Sequence, residues 1–139
     1  MSEKFDERID KILSSFEDVA QYEQAKRVLE EVCDSIQKAL QRQAPDRRIT
    51  VGLDPGWLVN LGQQLNVVVD LPERNFRDTL FRVYIPVKGY PVQLDFFGEE
   101  PLTANSSSEM ENHIAHFLAR PEVKLRLREY VLSALRKAQ

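Results

Sequence analysis

The sequence predicts an α+β fold in which a four-stranded antiparallel sheet is flanked by an N-terminal helical region and two C-terminal helices. Residues 2–43 contain neither Gly nor Pro and are rich in helix-forming residues. Between residues 47 and 97 the apolar period changes to two, which is typical of strands. Beyond residue 105 the helical period returns, so helices are expected on both sides of the strand region.

The bulk composition indicates one domain that spans residues 1–139. Apolar residues make up 42% of the chain and charged residues 29%, values that are typical of globular proteins. The apolar runs are too short for a transmembrane helix, and the first ten residues lack the pattern of a signal peptide. With its single cysteine the chain cannot form an internal disulfide. We therefore expect a cytoplasmic location and no contact with a membrane.

The N-terminal helical region carries two apolar stripes that point in nearly opposite directions. The first has a 4-3-4-3 spacing and consists of Phe5, Ile9, Ile12, Phe16 and Val19. The second runs from Tyr22 to Leu40. A small domain cannot easily cover both faces of one straight helix. We therefore expect either a break near residues 20–23, or slightly earlier at Ser14 and Ser15, or a first half that packs outside the core.

Residues 1–20 are interpreted as a docking or dimerisation helix, and residues 21–139 as the α+β core. The 4-3 spacing is typical of a short helix–helix seam. The expected partner-binding residues of this helix are Phe5, Ile9, Ile12 and Phe16. In the alternative, a helical hairpin folded onto the sheet buries the same stripe inside the domain.

Four runs of alternating apolar and polar residues predict the strands. They cover residues 49–53, 65–71, 81–85 and 92–96, and each has one apolar and one more polar face. This pattern is typical of an antiparallel sheet with one covered side. The sequence predicts a turn at residues 54–56, where Asp-Pro-Gly follows the first run, and Pro72 ends the second run.

Two helices are predicted after the sheet. Ser108 with Glu111, and Ser106 with Glu109, have the spacing of a capping box, and Pro121 suits the first position of the last helix. Residues 120–139 hold six basic and two acidic residues, although the whole chain has a net charge of −3. Basic residues near a helix C-terminus complement the helix dipole. The charge distribution therefore does not favour nucleic acid as a partner.

A proline-rich segment joins the third and fourth predicted strands: the third run ends at Pro86, and Gly89-Tyr90-Pro91 precedes the fourth. Together with the order helix, four strands, two helices, this segment resembles the ubiquitin-conjugating-like superfamily, including its non-catalytic RWD domains. The resemblance covers the chain from about residue 22 onward. The linking loop is one residue longer than in that superfamily, and the second proline expected after Pro91 is missing. The conjugating enzymes need a thiol after the fourth strand. No cysteine follows Pro91, so the resemblance implies a binding role without thioester chemistry.

Residues with catalytic or ligand-binding potential are few. Cys33 lies on an apolar helical face and is predicted to be a small core residue rather than a nucleophile. His113 and His116, together with Glu109, share one helix face, but no second group of metal ligands accompanies them. The chain contains neither a Walker loop nor the glycine motif of dinucleotide-binding proteins. We therefore expect no metal, no cofactor and no enzymatic activity.

Aromatic residues and arginines outside the main apolar rows are further candidates for partner binding. They are Trp57, Arg74, Phe76, Tyr84 and Phe97. Phe76 and Arg74 are expected in a charged loop, and Tyr84 and Phe97 on the less apolar side of the sheet. In the alternative, Trp57 and Phe97 pack onto an edge of the core, or the N-terminal helix covers the second sheet face.

These patterns favour a non-catalytic protein–protein interaction module, such as an adaptor, a chaperone-like protein or an inhibitor subunit. The expected partner is a protein, and specifically a second copy of the chain in a homodimer. The alternative is a small-molecule-binding protein or a small enzyme whose site combines Tyr, Arg and His residues that are distant in sequence. A flat apolar patch favours the first class, and a deep pocket with convergent polar groups favours the second.

Overall fold

Helices precede and follow a block of strands in the computed structural model, which describes residues 2–14, 17–59 and 62–136. The elements in these ranges are α1 (Ser2–Ser14), α2 (Glu17–Gln43), β1 (Thr50–Val59), β2 (Gly62–Leu71), β3 (Phe76–Ile85), β4 (Val92–Asp95), β5 (Leu102–Ala104), α3 (Ser107–Leu118) and α4 (Pro121–Leu135). A short 3-10 turn, Pro72–Arg74, separates β2 from β3. The predicted α+β class is confirmed.

The strands form one antiparallel sheet in the order β1-β2-β3-β4-β5, so each strand pairs with its neighbour in sequence. The sequence predicts four strands, whereas the described part of the chain contains five. The additional strand, β5, pairs with β4 through Val92↔Ala104 and Leu94↔Leu102. It has only three residues, which is too short to show the alternation by which strands are recognised in a sequence.

Asp54, Pro55 and Gly56 lie inside β1, so the prediction of a turn at these residues is wrong. The pairing of β1 with β2 is regular from Thr50 to Pro55, and its register then shifts before Leu58. A proline is tolerated in an edge strand because an N–H group that points away from the neighbouring strand is not needed for the ladder. The Pro-Gly pair therefore marks an irregularity within an edge strand and does not end it.

α2, α3 and α4 cover one face of the sheet and form the core with it. Phe81 of β3 lies at the centre, with ring centroids 5.5 Å from Phe96 and 5.6 Å from Phe117 of α3. Leu29 and Ile36 of α2 are buried against the same face, as the second apolar stripe predicts. Burial of each such side chain contributes about 1.5–3 kcal/mol to stability.

A β-bulge in β3 changes which of its residues face the helices. Val67 of β2 pairs with Phe81, but the next residue, Val68, pairs with Thr79, so Leu80 is the extra residue. Leu80 and Phe81 are consequently both buried although they are adjacent in sequence. On the N-terminal side of the bulge, the even-numbered residues of β3 therefore face the helices.

A polar cluster on the helix-covered side of the bulge attaches α4 to β3. The carboxylate of Asp78 accepts hydrogen bonds from Arg126, at 2.9 Å, and from the hydroxyl of Tyr130. Burial raises the pKa of Tyr130, and the hydrogen bond to Asp78 raises it further. These groups satisfy each other, so the cluster has a structural role.

The N-terminal helical region is described in two segments, α1 up to Ser14 and α2 from Glu17. α2 continues through residues 20–23, so the chain does not break there. The earlier break expected at Ser14 and Ser15 involves residues outside the described ranges. The side-chain oxygen of Ser106 accepts a hydrogen bond from the backbone N–H of Glu109 at 3.2 Å, so of the two predicted capping pairs α3 uses Ser106 with Glu109.

The loop between β3 and β4 packs directly against the backbone of α2. Gly89 in this loop has a φ of +93°, and a Cβ atom at this position would lie 2.6 Å from the carbonyl carbon of Gln21. Gly98 also has a positive φ, +76°, but nothing lies within 4 Å of the corresponding Cβ position. A side chain at either position would strain the backbone, but only a side chain at position 89 would also collide with α2.

We expect Gly89→Ala to lower the free energy of unfolding by about 2–4 kcal/mol, because strain at positive φ adds to the displacement of α2. Gly98→Ala, the matched control, should cost about 1 kcal/mol from strain alone. Urea denaturation of both variants measures the difference. Equal losses in the two variants would contradict the close packing of this loop on α2.

Candidate protein-interaction surface

α1 presents apolar side chains on its surface. All side chains from Lys4 to Leu13 are exposed, and the exposed fraction is 63% for Phe5 and 57% for Leu13. Within the described ranges the hydrophobic core contains no residue of α1. The alternative hairpin, folded onto the sheet, would bury Phe5 and Ile9, and both are exposed here. The core of the domain therefore does not cover this helix.

We refer to Phe5, Ile9, Ile12 and Leu13 together as the α1 face. The 4-3 spacing does not include Leu13, so the sequence pattern does not predict it as a contact residue. The signal was present, since Leu13 lies four residues after Ile9 and such residues share a helix face. The predicted contact residue Phe16 lies outside the described residues.

Charged side chains separate onto the two flanks of the α1 face. A helix turns by about 100° per residue, which places Asp6 and Asp10 on one side of Ile9. The same rotation places Lys4 and Arg8 on the other side. One flank of the α1 face is therefore acidic and the other is basic. Charges at these flanking positions influence partner choice and helix orientation in helix–helix seams.

The sequence predicts Arg74 and Phe76 in a charged loop, but the structure places them in regular elements. Arg74 belongs to the 3-10 turn, and its Nε–H donates a hydrogen bond to the carbonyl oxygen of Ser133 in α4 at 3.1 Å. Phe76 is the first residue of β3, and its ring centroid lies 6.2 Å from that of Tyr130. The bulge places Phe76 on the α4 side of the sheet, where the residue remains 38% exposed. Arg74 helps to hold α4 on the sheet through its hydrogen bond to Ser133.

Tyr84 and Phe97 lie on or beside the sheet face that the helices leave open. Tyr84 is half-buried, with its hydroxyl over Gly62. Phe97 follows β4 with a φ of 60°, and the guanidinium carbon of Arg82 lies 5.1 Å from its ring centroid. Trp57 belongs to β1, but its side chain lies outside the described part of the chain. Tyr84 and Phe97 thus have different described neighbours, Gly62 and Arg82 respectively.

Cys33 is part of the core, as predicted. Burial, together with the nearby charge of Glu30, raises the pKa of its thiol to about 12. The thiolate is the reactive form of cysteine, so this residue is not poised for nucleophilic chemistry at neutral pH.

The two histidines do not form a metal site with neighbouring ligands. His113 Nε2 lies 3.2 Å from the carbonyl oxygen of Thr103, and Glu109 accepts a hydrogen bond from the backbone N–H of Asn105 at 2.6 Å. Within residues 2–14, 17–59 and 62–136, no three or more His, Cys, Asp or Glu side chains are grouped so that they could hold a metal ion. No helix in the same ranges has the length and apolar character that a membrane crossing requires.

Comparison of the chain with protein-family models, curated proteins and solved structures finds no match. The resemblance to the ubiquitin-conjugating-like superfamily therefore stays a prediction. Within the segment that carries it, the Tyr90–Pro91 peptide bond is cis, and the Tyr90 hydroxyl lies 2.7 Å from Ser107 Oγ.

We expect Cys33 in the folded protein to react with iodoacetamide about a hundredfold or more slowly than in urea, because both burial and a raised pKa suppress the thiolate. Mass spectrometry of timed samples measures the rate. The Glu7→Cys variant supplies an exposed thiol outside the α1 face as an internal control, and it should react at an ordinary rate. Similar rates for the two thiols would contradict the buried position of Cys33.

Proposed function

We propose that this chain is a non-catalytic protein-interaction module that binds a partner protein through the α1 face. The observation that carries the proposal is a formed helix with exposed Phe and Leu side chains outside the core. An amphipathic helix of this kind gains stability when its apolar side packs against another protein surface. An adaptor, a chaperone-like protein or an inhibitor subunit would each use such a helix.

We further propose that the partner is a second copy of the chain, paired in parallel. In a parallel pair, the acidic flank with Asp6 and Asp10 faces the basic flank with Lys4 and Arg8 of the other copy. In an antiparallel pair, each flank faces its own equivalent and like charges meet. The charge pattern of α1 therefore favours the parallel arrangement over the antiparallel one.

Affinity and orientation arise from different groups in this arrangement. Each exposed charge pair contributes about 0.2–1 kcal/mol, whereas full burial of an apolar side chain contributes about 1.5–3 kcal/mol. The apolar residues of the α1 face therefore supply most of the binding free energy, and the charges select the orientation. A seam as short as α1 must also offset the entropy lost on association. We therefore expect a dimer whose population depends on protein concentration.

We expect Phe5→Ala combined with Ile9→Ala to raise the dissociation constant of the dimer by about a hundredfold, because two contacting side chains are truncated. Sedimentation velocity over a range of protein concentrations measures the constant. Glu7→Ala, on the opposite side of the same helix, is the matched control and should leave it unchanged. At a protein concentration at which the wild type is monomeric, the melting temperature should be the same in all variants, since the described residues of α1 lie outside the core.

Two outcomes of this experiment separate the proposals. A wild-type chain that stays monomeric but retains a stoichiometric partner from cell extract, and loses it with the double substitution, would refute only self-pairing. A chain in which the double substitution changes neither self-association nor partner retention would refute the interaction role of α1.

A cysteine experiment tests the parallel orientation. In a parallel pair in register, the Phe5→Cys positions lie at the same level of the seam, within the Cα separation of about 4.4–6.8 Å that a disulfide requires. Mild oxidation should therefore yield a covalent dimer on a non-reducing gel. Glu7→Cys, which faces away from the seam, is the control and should stay monomeric. A dimer that sediments normally but forms no disulfide from Phe5→Cys would show that the helices are not parallel.

A further inference from the structure

A groove with a volume of about 470 Å³ lies between α2 and the outer edge of β1. Its apolar side is formed by Cys33, Val51, Leu53 and Leu65, and its rim carries charged residues of α2. β1 is the first strand of the sheet and pairs with β2 on one side only. The groove therefore lies where the sheet has an unpaired edge.

Two glutamines of α2 cover the edge of β1 beside the groove. Gln41 Oε1 accepts a hydrogen bond from the backbone N–H of Ile49 at 3.2 Å, and Gln37 Oε1 accepts one from that of Val51 at 2.8 Å. Four residues of a helix advance about 6 Å, and two residues of a strand advance about 6.8 Å. The two spacings are nearly equal, so residues four apart on α2 lie beside residues two apart on the strand. Each of the two glutamines therefore bonds one outward-facing N–H group.

The series of glutamines ends at Cys33, which lies four residues before Gln37. The matching strand position is Leu53, whose N–H points outward because outward-facing groups recur every second residue along β1. A thiol is a weak hydrogen-bond acceptor, and no side chain in the described ranges bonds the N–H of Leu53. The next outward position is Pro55, which has no N–H. The groove is consequently lined by one uncovered backbone N–H and by the outward carbonyl groups of Leu53 and Pro55.

The charged rim of the groove adds a second kind of complementarity. Glu30 lies three residues before Cys33 on α2, and it lines the groove. Asp34 is paired with Lys38 at 2.9 Å, and Lys26 lies one turn before Glu30. The rim of the groove therefore offers the carboxylate of Glu30 as an acceptor for a cationic N–H group of a ligand.

We propose that this groove binds an extended segment of another protein that pairs with the edge of β1 at Leu53. One residue of that segment exchanges two hydrogen bonds with the N–H and carbonyl groups of Leu53, as in strand addition to a sheet edge. A neighbouring apolar side chain occupies the groove above Cys33 and Leu65, and a Lys or Arg side chain reaches Glu30. The site is distinct from the α1 face and does not depend on it.

The test uses the ¹⁵N-labelled full chain and a capped peptide, acetyl-Ala-Val-Lys-Val-Ala-amide, as the probe. We expect a saturable downfield shift of the Leu53 amide proton and about tenfold slower exchange of that proton with solvent. The amides of Ile49 and Val51, which already bond glutamines, should move little. The same peptide with Glu in place of Lys should bind about tenfold more weakly because it faces Glu30.

Two variants test the two parts of the site. Cys33→Gln extends the glutamine series to the level of Leu53 and should abolish the peptide-induced shift. Since Cys33 is buried, Glu30→Gln, on the exposed surface, serves as the second variant. It should remove the preference for the lysine peptide over the glutamate peptide while the Leu53 shift persists.

Three results would overturn the proposal. The first is a Leu53 amide that does not respond to millimolar peptide. The second is an equal response to N-acetyl-lysine amide, which would mean that the groove holds a single cation rather than an extended segment. The third is a Leu53 shift that follows protein concentration without peptide, which would mean that a second copy of the chain fills the groove.

Discussion

The alignment of α2 along the unpaired edge of β1 is the constraint on which the other features depend. An edge strand exposes N–H and carbonyl groups that pair readily with other chains. Gln37 and Gln41 cover two of these groups, and the apolar stripe of the same helix packs on the sheet beside them. One helix therefore protects the sheet edge and closes the core. The cover stops at Cys33, and a groove lies there between α2 and β1.

The position of α2 on the sheet also explains why the apolar side chains of α1 stay outside the core. Because the second apolar stripe already occupies the sheet, the first stripe has no comparable surface within the core. The two proposed surfaces consequently differ in physical character. The α1 face offers apolar area with charged flanks, so its strength should follow burial. The groove offers backbone groups in a fixed geometry, so its selectivity should follow hydrogen bonding. A module with both could associate with itself and still bind a peptide.

Groups that could support chemistry are used for structure in this protein. Tyr130 and Asp78 hydrogen-bond each other where the β3 bulge meets α4, and Cys33 is buried with a raised pKa. His113 lies beside the carbonyl oxygen of Thr103. Asp78, Tyr130 and His113 thus each have a polar neighbour in the fold, and Cys33 is enclosed by the core.

The sequence by itself determined the α+β class, the apolar stripes of the helices and the amphipathic character of α1, because these depend on local period and composition. It could not show that residues 54–56 continue β1, that β5 exists, or that Phe76 faces α4. Each of these depends on the partner strand or helix: Pro55 is tolerated only at an edge, and Phe76 lies on the α4 side of the sheet only because Leu80 adds a bulge. The groove likewise could not be predicted from the sequence. Only the alignment of α2 with β1 shows that Gln37 and Gln41 bond outward N–H groups of the strand and that Cys33 occupies the next position along the helix.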